Sequence, residues 1–465
     1  MYVLAVFLSL YSNPRVEHEP FSFLGVHFVA FLMMGLTYLV VFYIFGNYDY
    51  QLDYRRWNNI GQLLFSVAMG SVGIIIFFYF PTGVFVGRVQ LLVQSATFAG
   101  LMLLWRLAFS ALALPERLKQ RLIIIGAGES GRRILEALRN RPRSGLDPVG
   151  FIDDDPRKVG TVIEGLPVLG SCGELVEIIR EGMVDLAVVA ITHDKSPALI
   201  NVLTRIGWNG CHLQDMPSFF EFLTGKIPID HISDLWFYLT MLQKNRLYYH
   251  HVKRLIDVGL AVYGLVIAFP LLVLIAIAIK LDSAGPVFFR QERLGKDGKS
   301  FQIIKFRTMQ LDAESNGPQW ASSRDPRITR VGRILRRFRL DEFPQLINVL
   351  RGEMSCIGPR PEREVFVKKF QELVPRVRPR RRIKDPPACE IHYDYYERIP
   401  YYSHRLLVKP GLTGWAQVMF SYASSLEQAK EKLEYDLFYI KNMSFFLDLA
   451  ILLKTVRITL FGRGT

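Results

Sequence analysis

The sequence predicts a three-part chain: an integral membrane α-helical N-terminal region, a Rossmann-like α/β domain, and a mainly α (α+β) C-terminal domain with a re-entrant membrane helix. Three observations carry this reading. Long apolar segments crowd the chain before residue 115, strand and helix patterns alternate between about 119 and 235, and an apolar stretch at 255 to 283 has basic residues on both flanks. The expected boundaries are 1–115, 116–245 and 246–465, with the re-entrant helix at about 253–281.

The bulk properties agree. A chain of 465 residues suits two or three domains, and 50% hydrophobic residues with a net charge of +14 suggest a membrane protein with an anionic cytoplasmic partner. The cysteines Cys172, Cys211, Cys356 and Cys389 lie far apart, with no CxxC pair, and read as reduced thiols rather than a disulfide framework or zinc site.

The opening "MYVLAVFLSLYSNP" lacks a basic n-region and a cleavage site, which argues against a signal peptide. It is too short to cross a bilayer, which takes roughly 20 apolar residues, and reads as the tail of a span whose beginning precedes this sequence. Segments 22–45, 60–80 and about 84–114 read as full transmembrane helices, the last with Arg88 and Arg106 placed to snorkel. Arg55 and Arg56 in the first loop, the basic exit "PERLKQR" and the uncharged "PTG" turn near 81–83 put loop 46–59 and everything after 115 in the cytoplasm.

In "RLIIIGAGESGRRILEALRN" (121–140) an apolar strand, a glycine turn and an amphipathic helix follow one another. Gly126, Gly128 and Gly131 make GxGxxG in the place a dinucleotide fold would put it. The glycines either hold a nucleotide phosphate at the helix N-terminus or only allow close strand-to-helix packing. A strand ending in acids (148–156), a helix near 172–182 and a strand at 184–191 continue a parallel, Rossmann-like sheet. The segment has no Tyr-x-x-x-Lys pair of the reductase type.

The apolar block at 255–283 is long enough to span. Yet Lys253 and Arg254 precede it, Lys280, Arg290, Arg293 and Lys296 follow, and Pro270 at its middle removes a helical hydrogen bond. A re-entrant helix that breaks at Pro270 and returns to the cytoplasm keeps all of this charge on one side.

Beyond it come "VFFRQERLGKDGKSFQIIKFRTM" (287–309), "DPRITRVGRILRRFRLDEFPQLINVLRGEMSCIGPRPERE" (325–364) and "VKPGLTGWAQV" (408–418). In these ordered blocks the chain resembles the monotopic phosphoglycosyl transferases of the bacterial sugar transferase family, over about 250–465. With its upstream parts it resembles the long-form enzymes that initiate exopolysaccharide or O-antigen biosynthesis. The resemblance implies transfer of a sugar 1-phosphate from a UDP-sugar to undecaprenyl (polyprenyl) phosphate, with release of UMP. Both substrates are anions, and a carboxylate nucleophile would split the displacement into two steps. On the family pattern Asp341 is that nucleophile and a ligand for Mg2+, and Glu342 aids metal or proton handling. Arg336 and Arg360 are the implied phosphate anchors, with Lys305 and Arg307 as further candidates. A basic surface that attracts anionic lipid is the alternative for all four.

The implied partners are the UDP-sugar donor, the polyprenyl phosphate acceptor, the lipid membrane, polysaccharide assembly proteins and a second copy in a homodimer; no nucleic acid is expected. The implied location is multi-pass in the bacterial inner membrane, catalytic domain on the cytoplasmic face. Trp415 and Gln417 either approach the nucleotide or pack in a glycine turn, and the closing helix at 445–462 reads as core or interfacial. Where the family passes in a few residues, this chain has a basic, proline-rich insertion at 376–398. Two other functions stay open: a nucleotide-sugar epimerase or dehydratase using the Rossmann-like domain, and a scaffold or regulator of polysaccharide assembly.

Overall fold

A computed structural model describes residues 1–11, 27–49, 52, 54, 56–76, 88–112, 119–142, 144–182, 184–191, 197–208, 211–233, 236, 239–240, 248–310, 325–362, 399–420 and 426–460. Arg55, the turn at 81–83, most of the "PERLKQR" exit, Cys389 and the insertion at 376–398 lie outside the described residues. So does the side chain of Arg88. The chain divides into two compact units, Met1–Ala190 with Lys195–Leu213, and Ile191–Asp194 with Gln214–Thr465.

In the first unit, four apolar helices come first: α1 (Tyr2–Tyr11), α2 (Phe28–Ile44), α3 (Trp57–Ile74) and α4 (Arg88–Leu112). Polar side chains tie them together where apolar contact alone would not set their register. Gln94 Nε2 donates to Tyr2 Oη at 2.8 Å, Gln90 Nε2 to Ser9 Oγ at 2.9 Å, and Tyr38 Oη meets Ser71 and Ser95 Oγ at 2.9 and 3.0 Å. Bonds of this kind hold helices together in lipid. The short α1 is thereby a packed part of the bundle. Arg106 is partly exposed and also held from within: its Nη2 donates to the Asn47 carbonyl at 2.8 Å and its guanidinium lies 5.3 Å from the Tyr54 ring centroid. Among the described residues, Val89–Phe109 and Lys253–Asp282 are long and apolar enough to cross a membrane, and α2 is apolar but shorter.

The rest of this unit is the α/β sheet. Its elements are β1 (Gln120–Ile125), α5 (Glu129–Arg139), β2 (Leu146–Ile152), β3 (Val162–Ile163), β4 (Leu166–Gly170), α6 (Leu175–Gly182), β5 (Leu186–Val189), α7 (Pro197–Trp208) and β6 (His212–Asp215). The strand order is β3-β4-β2-β1-β5-β6, with β1 parallel to both β2 and β5 and β3 antiparallel to β4. Leu122 to Ile125 are fully buried because the central strand is covered on both faces, so it reads as a continuous apolar run rather than an alternation.

The second unit begins with α8 (Met216–Thr224), capped by Asp215, whose carboxylate accepts from Ser218 N at 3.3 Å. Then comes the long helix α9 (Lys253–Asp282), which does not end at Pro270. A proline inside a helix costs roughly 3 kcal/mol and weakens one turn, but the apolar turns on both sides remain helical. The hairpin β7 (Phe288–Leu294) and β8 (Ser300–Phe306), then α10 (Arg330–Arg337), α11 (Gln345–Arg351) and β9 (Ser355–Ile357) follow. The unit closes with β10 (Gly411–Thr413), α12 (Trp415–Met419), α13 (Leu426–Lys441) and α14 (Phe445–Leu460).

Both ends of α9 are fastened to this same unit. At its start, Arg254 donates to the carbonyls of Val349 and Leu350, Asp257 accepts from Cys356 N at 2.9 Å, and Lys253 pairs with Asp448 at 2.7 Å. At its finish, Ile275 and Ile279 pack with Phe306 and Leu335, and Asp282 accepts from Val331 N at 3.0 Å. Val266, Ile267, Phe269 and Leu274, in its middle, are exposed. Asp448 on α14 also accepts from Tyr248 and Tyr439, so this buried carboxylate meets one cation and two hydroxyls. The same helix also exposes Phe445, Phe446 and Leu449.

Candidate active site

The two acids stand on one turn of 3₁₀ helix, Leu340–Glu342, between α10 and α11. Thr329 starts α10 by accepting from Gly332 N at 3.0 Å. Arg339 then takes φ 54°, a left-handed conformation that costs a non-glycine residue roughly 1–2 kcal/mol and turns the chain sharply. Leu340 packs on the apolar cluster of Ile275, Ile279, Phe306 and Leu335, which anchors the turn.

Two distant segments converge on Glu342. Lys305 Nζ, on β8, donates to Glu342 Oε1 at 2.9 Å, and Arg360 Nη2 donates to the same oxygen at 3.2 Å. Arg360 Nη1 also reaches Gln417 Oε1 at 3.4 Å. Burial alone would raise the Glu342 carboxyl, yet Lys305 and Arg360 outweigh it and hold it down at about 2. Asp341 has the opposite balance: burial and the negative Glu342 push it up to about 6, against the opposing charges of Lys305, Arg336 and Arg360. Adjacent acids driven apart in this way are suited to separate tasks.

Arg360 is itself held from behind. Arg405, buried, donates to the Arg360 carbonyl at 3.1 Å, Tyr402 Oη at 2.7 Å, Asp436 Oδ2 at 2.8 Å and Glu362 Oε1 at 3.4 Å. Lys432 donates to the same Glu362 oxygen at 2.6 Å. Burial would raise Glu362, but Lys432 and Arg405 hold it far below the usual carboxylate range. From the other side, Arg293 Nη1 donates to the Pro361 carbonyl at 3.0 Å. A small, shallow cleft opens beside Glu342, with Arg293, Lys305, Glu342, Gln345 and Arg360 in its wall.

The remaining candidates lie elsewhere. Arg336 Nε donates to Thr308 Oγ1 at 2.9 Å, and its charge bears on Asp341. Arg307 is buried and donates to the Ser283 and Ala284 carbonyls at 2.8 and 2.7 Å, so it caps the end of α9. Trp415 Nε1 donates to the Gly225 carbonyl at 2.9 Å and its ring stacks on Phe438, a packing role. Sequence reasoning missed Arg405, Glu362 and Asp436, and Gln345 reads from the sequence as a residue that shapes the turn into α11. The signal for the first three is spatial, since their partners lie tens of residues away.

In the first unit, Gly126 takes φ 108°, and a side chain at Gly131 would run into the Gly126 carbonyl oxygen, so these two glycines serve the tight turn and close packing. Gly128 has open space around it. Asp153, after β2, accepts from Ala127 N at 2.9 Å and from Lys158 at 2.9 Å, so its carboxylate braces the glycine turn itself.

Among the described residues, no group of three or more His, Cys, Asp or Glu side chains could hold a metal alone. Glu342 is committed to two cations, so a metal at the dyad would have to take Asp341. One carboxylate suits Mg2+, which is commonly held by one or two carboxylates together with substrate phosphates.

A carboxylate pair of split acidity, ringed by cations, stands in a domain fastened to a long apolar helix. The chain belongs to the bacterial sugar transferase family. The profile described as bacterial sugar transferase matches residues 248–462, and one described as a CoA-binding domain matches 43–217. A relative from Aeromonas hydrophila, a UDP-N-acetylgalactosamine-undecaprenyl-phosphate N-acetylgalactosaminephosphotransferase, is 40% identical over 52% of this chain and 51% of its own length. The chain thus spans about half of that relative. A UDP-glucose:undecaprenyl-phosphate glucose-1-phosphate transferase from Xanthomonas campestris pv. campestris is 31% identical over 74% of this chain and 67% of its own. The protein of the same description from Klebsiella pneumoniae is 29% identical over 98% of this chain and 92% of its own.

Proposed function

We propose that this protein transfers a sugar 1-phosphate from a UDP-sugar to undecaprenyl phosphate, giving the polyprenyl-diphosphate sugar and UMP, as the first step of a surface polysaccharide. The observation that carries the reading is Glu342 locked by Lys305 and Arg360 beside an Asp341 of raised pKa. An Asp341 oxygen attacks the sugar-linked phosphorus, the bond to the UMP oxygen breaks, and UMP leaves with its electron pair. An oxygen of the lipid phosphate then attacks the same phosphorus and frees the carboxylate. Lys305, Arg360 and Arg293 face the approaching diphosphate, and Glu342 keeps the first two extended into the cleft. Mg2+, held by Asp341 and the substrate phosphates, would neutralise the diphosphate's charge.

The re-entrant topology is part of this proposal. It is supported by the fastening of both ends of α9 to one unit and by the exposed apolar middle between them. On it, the catalytic domain faces the cytoplasm of a bacterial inner membrane, and a homodimer and assembly proteins remain the expected company.

Membranes carrying the full chain, incubated with polyprenyl phosphate and a panel of UDP-sugars, should release UMP with one donor. UDP-glucose and UDP-N-acetylgalactosamine come first, since they are the donors in the relatives' names. No UMP from any donor would overturn the reading.

A pH profile tests the dyad. Asp341 reacts only when ionised and its pKa is raised, so the rate rises as pH increases through about 6. Lys305 opposes that rise, so Lys305→Met is expected to move the acid limb of kcat/KM upward by about one unit. An unmoved limb would assign it to another group.

A further inference from the structure

The cleft wall contains a polar group that the fold leaves unpaired. Gln345, the first residue of α11, is 2% exposed, and its Nε2 has no hydrogen-bond partner among the described residues. It lines the cleft together with Lys305, Glu342 and Arg360. Gln417 repeats the pattern next door: it is 8% exposed, its Oε1 accepts from Arg360, and its own Nε2 has no partner among the described residues. A buried amide donor without an acceptor costs about 1–3 kcal/mol, and native proteins tolerate few of them. Two such donors, one in the cleft wall and one on the arginine of that wall, point to a partner that arrives with the substrate.

The chemistry of the wall says what kind. Lys305, Arg360 and Arg293 are pure donors, and the acceptor among the charged lining groups, Glu342, is already taken by two of them. The visitor must therefore bring acceptors. We propose that Gln345, seconded by Gln417, forms a carboxamide subsite that donates hydrogen bonds to phosphate oxygens of the nucleotide-sugar diphosphate. This rests on the sugar-phosphate transfer reading. The neutral amides add direction where the cations add charge: an ammonium accepts a phosphate from many angles, whereas a planar amide fixed on α11 favours one. Gln345 lies three residues after Glu342, so the subsite and the dyad are carried on one short stretch of chain. A purely structural glutamine predicts something different, because its removal would loosen the start of α11.

Gln345→Met, of similar length but apolar, separates the two. The full-length variant in detergent should melt at or above the wild-type temperature, since an unpaired polar group is removed. Its KM for the UDP-sugar should rise about 10- to 100-fold, as expected for one lost hydrogen bond to a charged group. The thermal shift given to the wild type by UDP should shrink by a similar factor in apparent affinity, while uridine should shift neither protein. Should the methionine variant not fold, Gln345→Glu keeps size and polarity and should repel the diphosphate with at least the same loss. A lower melting temperature with unchanged KM would overturn the subsite. So would unchanged melting and KM, provided the wild type releases UMP. A wild type that neither releases UMP nor responds to UDP would instead overturn the functional reading beneath it.

Discussion

Asp341→Asn is expected to abolish both UMP release and formation of a phosphosugar adduct, lowering turnover by at least about 10⁴-fold. The substitution keeps shape and removes only the nucleophilic oxygen's charge. The fold should not suffer: Asp341 is ionised at the expense of burial and of repulsion from Glu342, so a neutral amide relieves both. The melting temperature should therefore hold or rise while activity vanishes. Intact-protein mass spectrometry after incubation with the UDP-sugar alone checks the adduct, and a UMP assay checks the turnover. Full turnover in this variant would remove Asp341 from the mechanism.

Arg405→Met should damage the protein differently, through its fold. It leaves the buried Asp436 without its pair and the partly exposed Glu362 with Lys432 and Arg293, and breaking a buried pair such as Arg405–Asp436 costs about 3–5 kcal/mol. Because Arg405 also holds the Arg360 carbonyl, donor binding should fail along with stability. The pH dependence has a definite sign. Glu362 is depressed in the folded state, so its contribution is present above the ordinary carboxylate range and is lost as pH falls through its folded value. The gap in melting temperature between wild type and variant should therefore be widest near neutral pH and narrow in strong acid. A constant gap would show that packing, not charge, is what Arg405 supplies.

These cases show where the sequence was legible. The carboxylate pair at 341 and 342 stood out because charge of one sign follows abruptly on charge of the other within a few residues, and Arg360 and Lys305 then meet it in space. The parallel sheet was equally open to reading, since β1 is a run of buried isoleucines bounded by a glycine turn. Arg307 shows the limit. It belongs to the same "KFRTM" block as Lys305, but two residues along a strand put it on the same face only by the simplest rule, and the twist beyond β8 delivers it to the end of α9 instead. Nor could periodicity reveal Arg405 or Gln345. One depends on partners brought together by folding, and the other on a partner's absence, which no local pattern records. Asp448 is a similar case: a lone acid in an apolar helix, it is the buried counter-ion of Lys253.

The join between α9 and the strand that follows has a further meaning. Arg307, two residues after Lys305, clamps the carbonyls of Ser283 and Ala284 just past that helix, while Asp282 grips the first turn of α10, which leads directly into the acids. On the proposed re-entrant topology, a helix lodged in lipid and the acid pair are thus bolted to one bracket. The elevation of the carboxylates above the hydrocarbon is fixed by how deep the helix sits, much as a gauge block fixes the height of a tool. A lipid-borne phosphate, whose own elevation is fixed by the headgroup plane, then arrives already level with its target, and leaflet thickness becomes a parameter of the reaction.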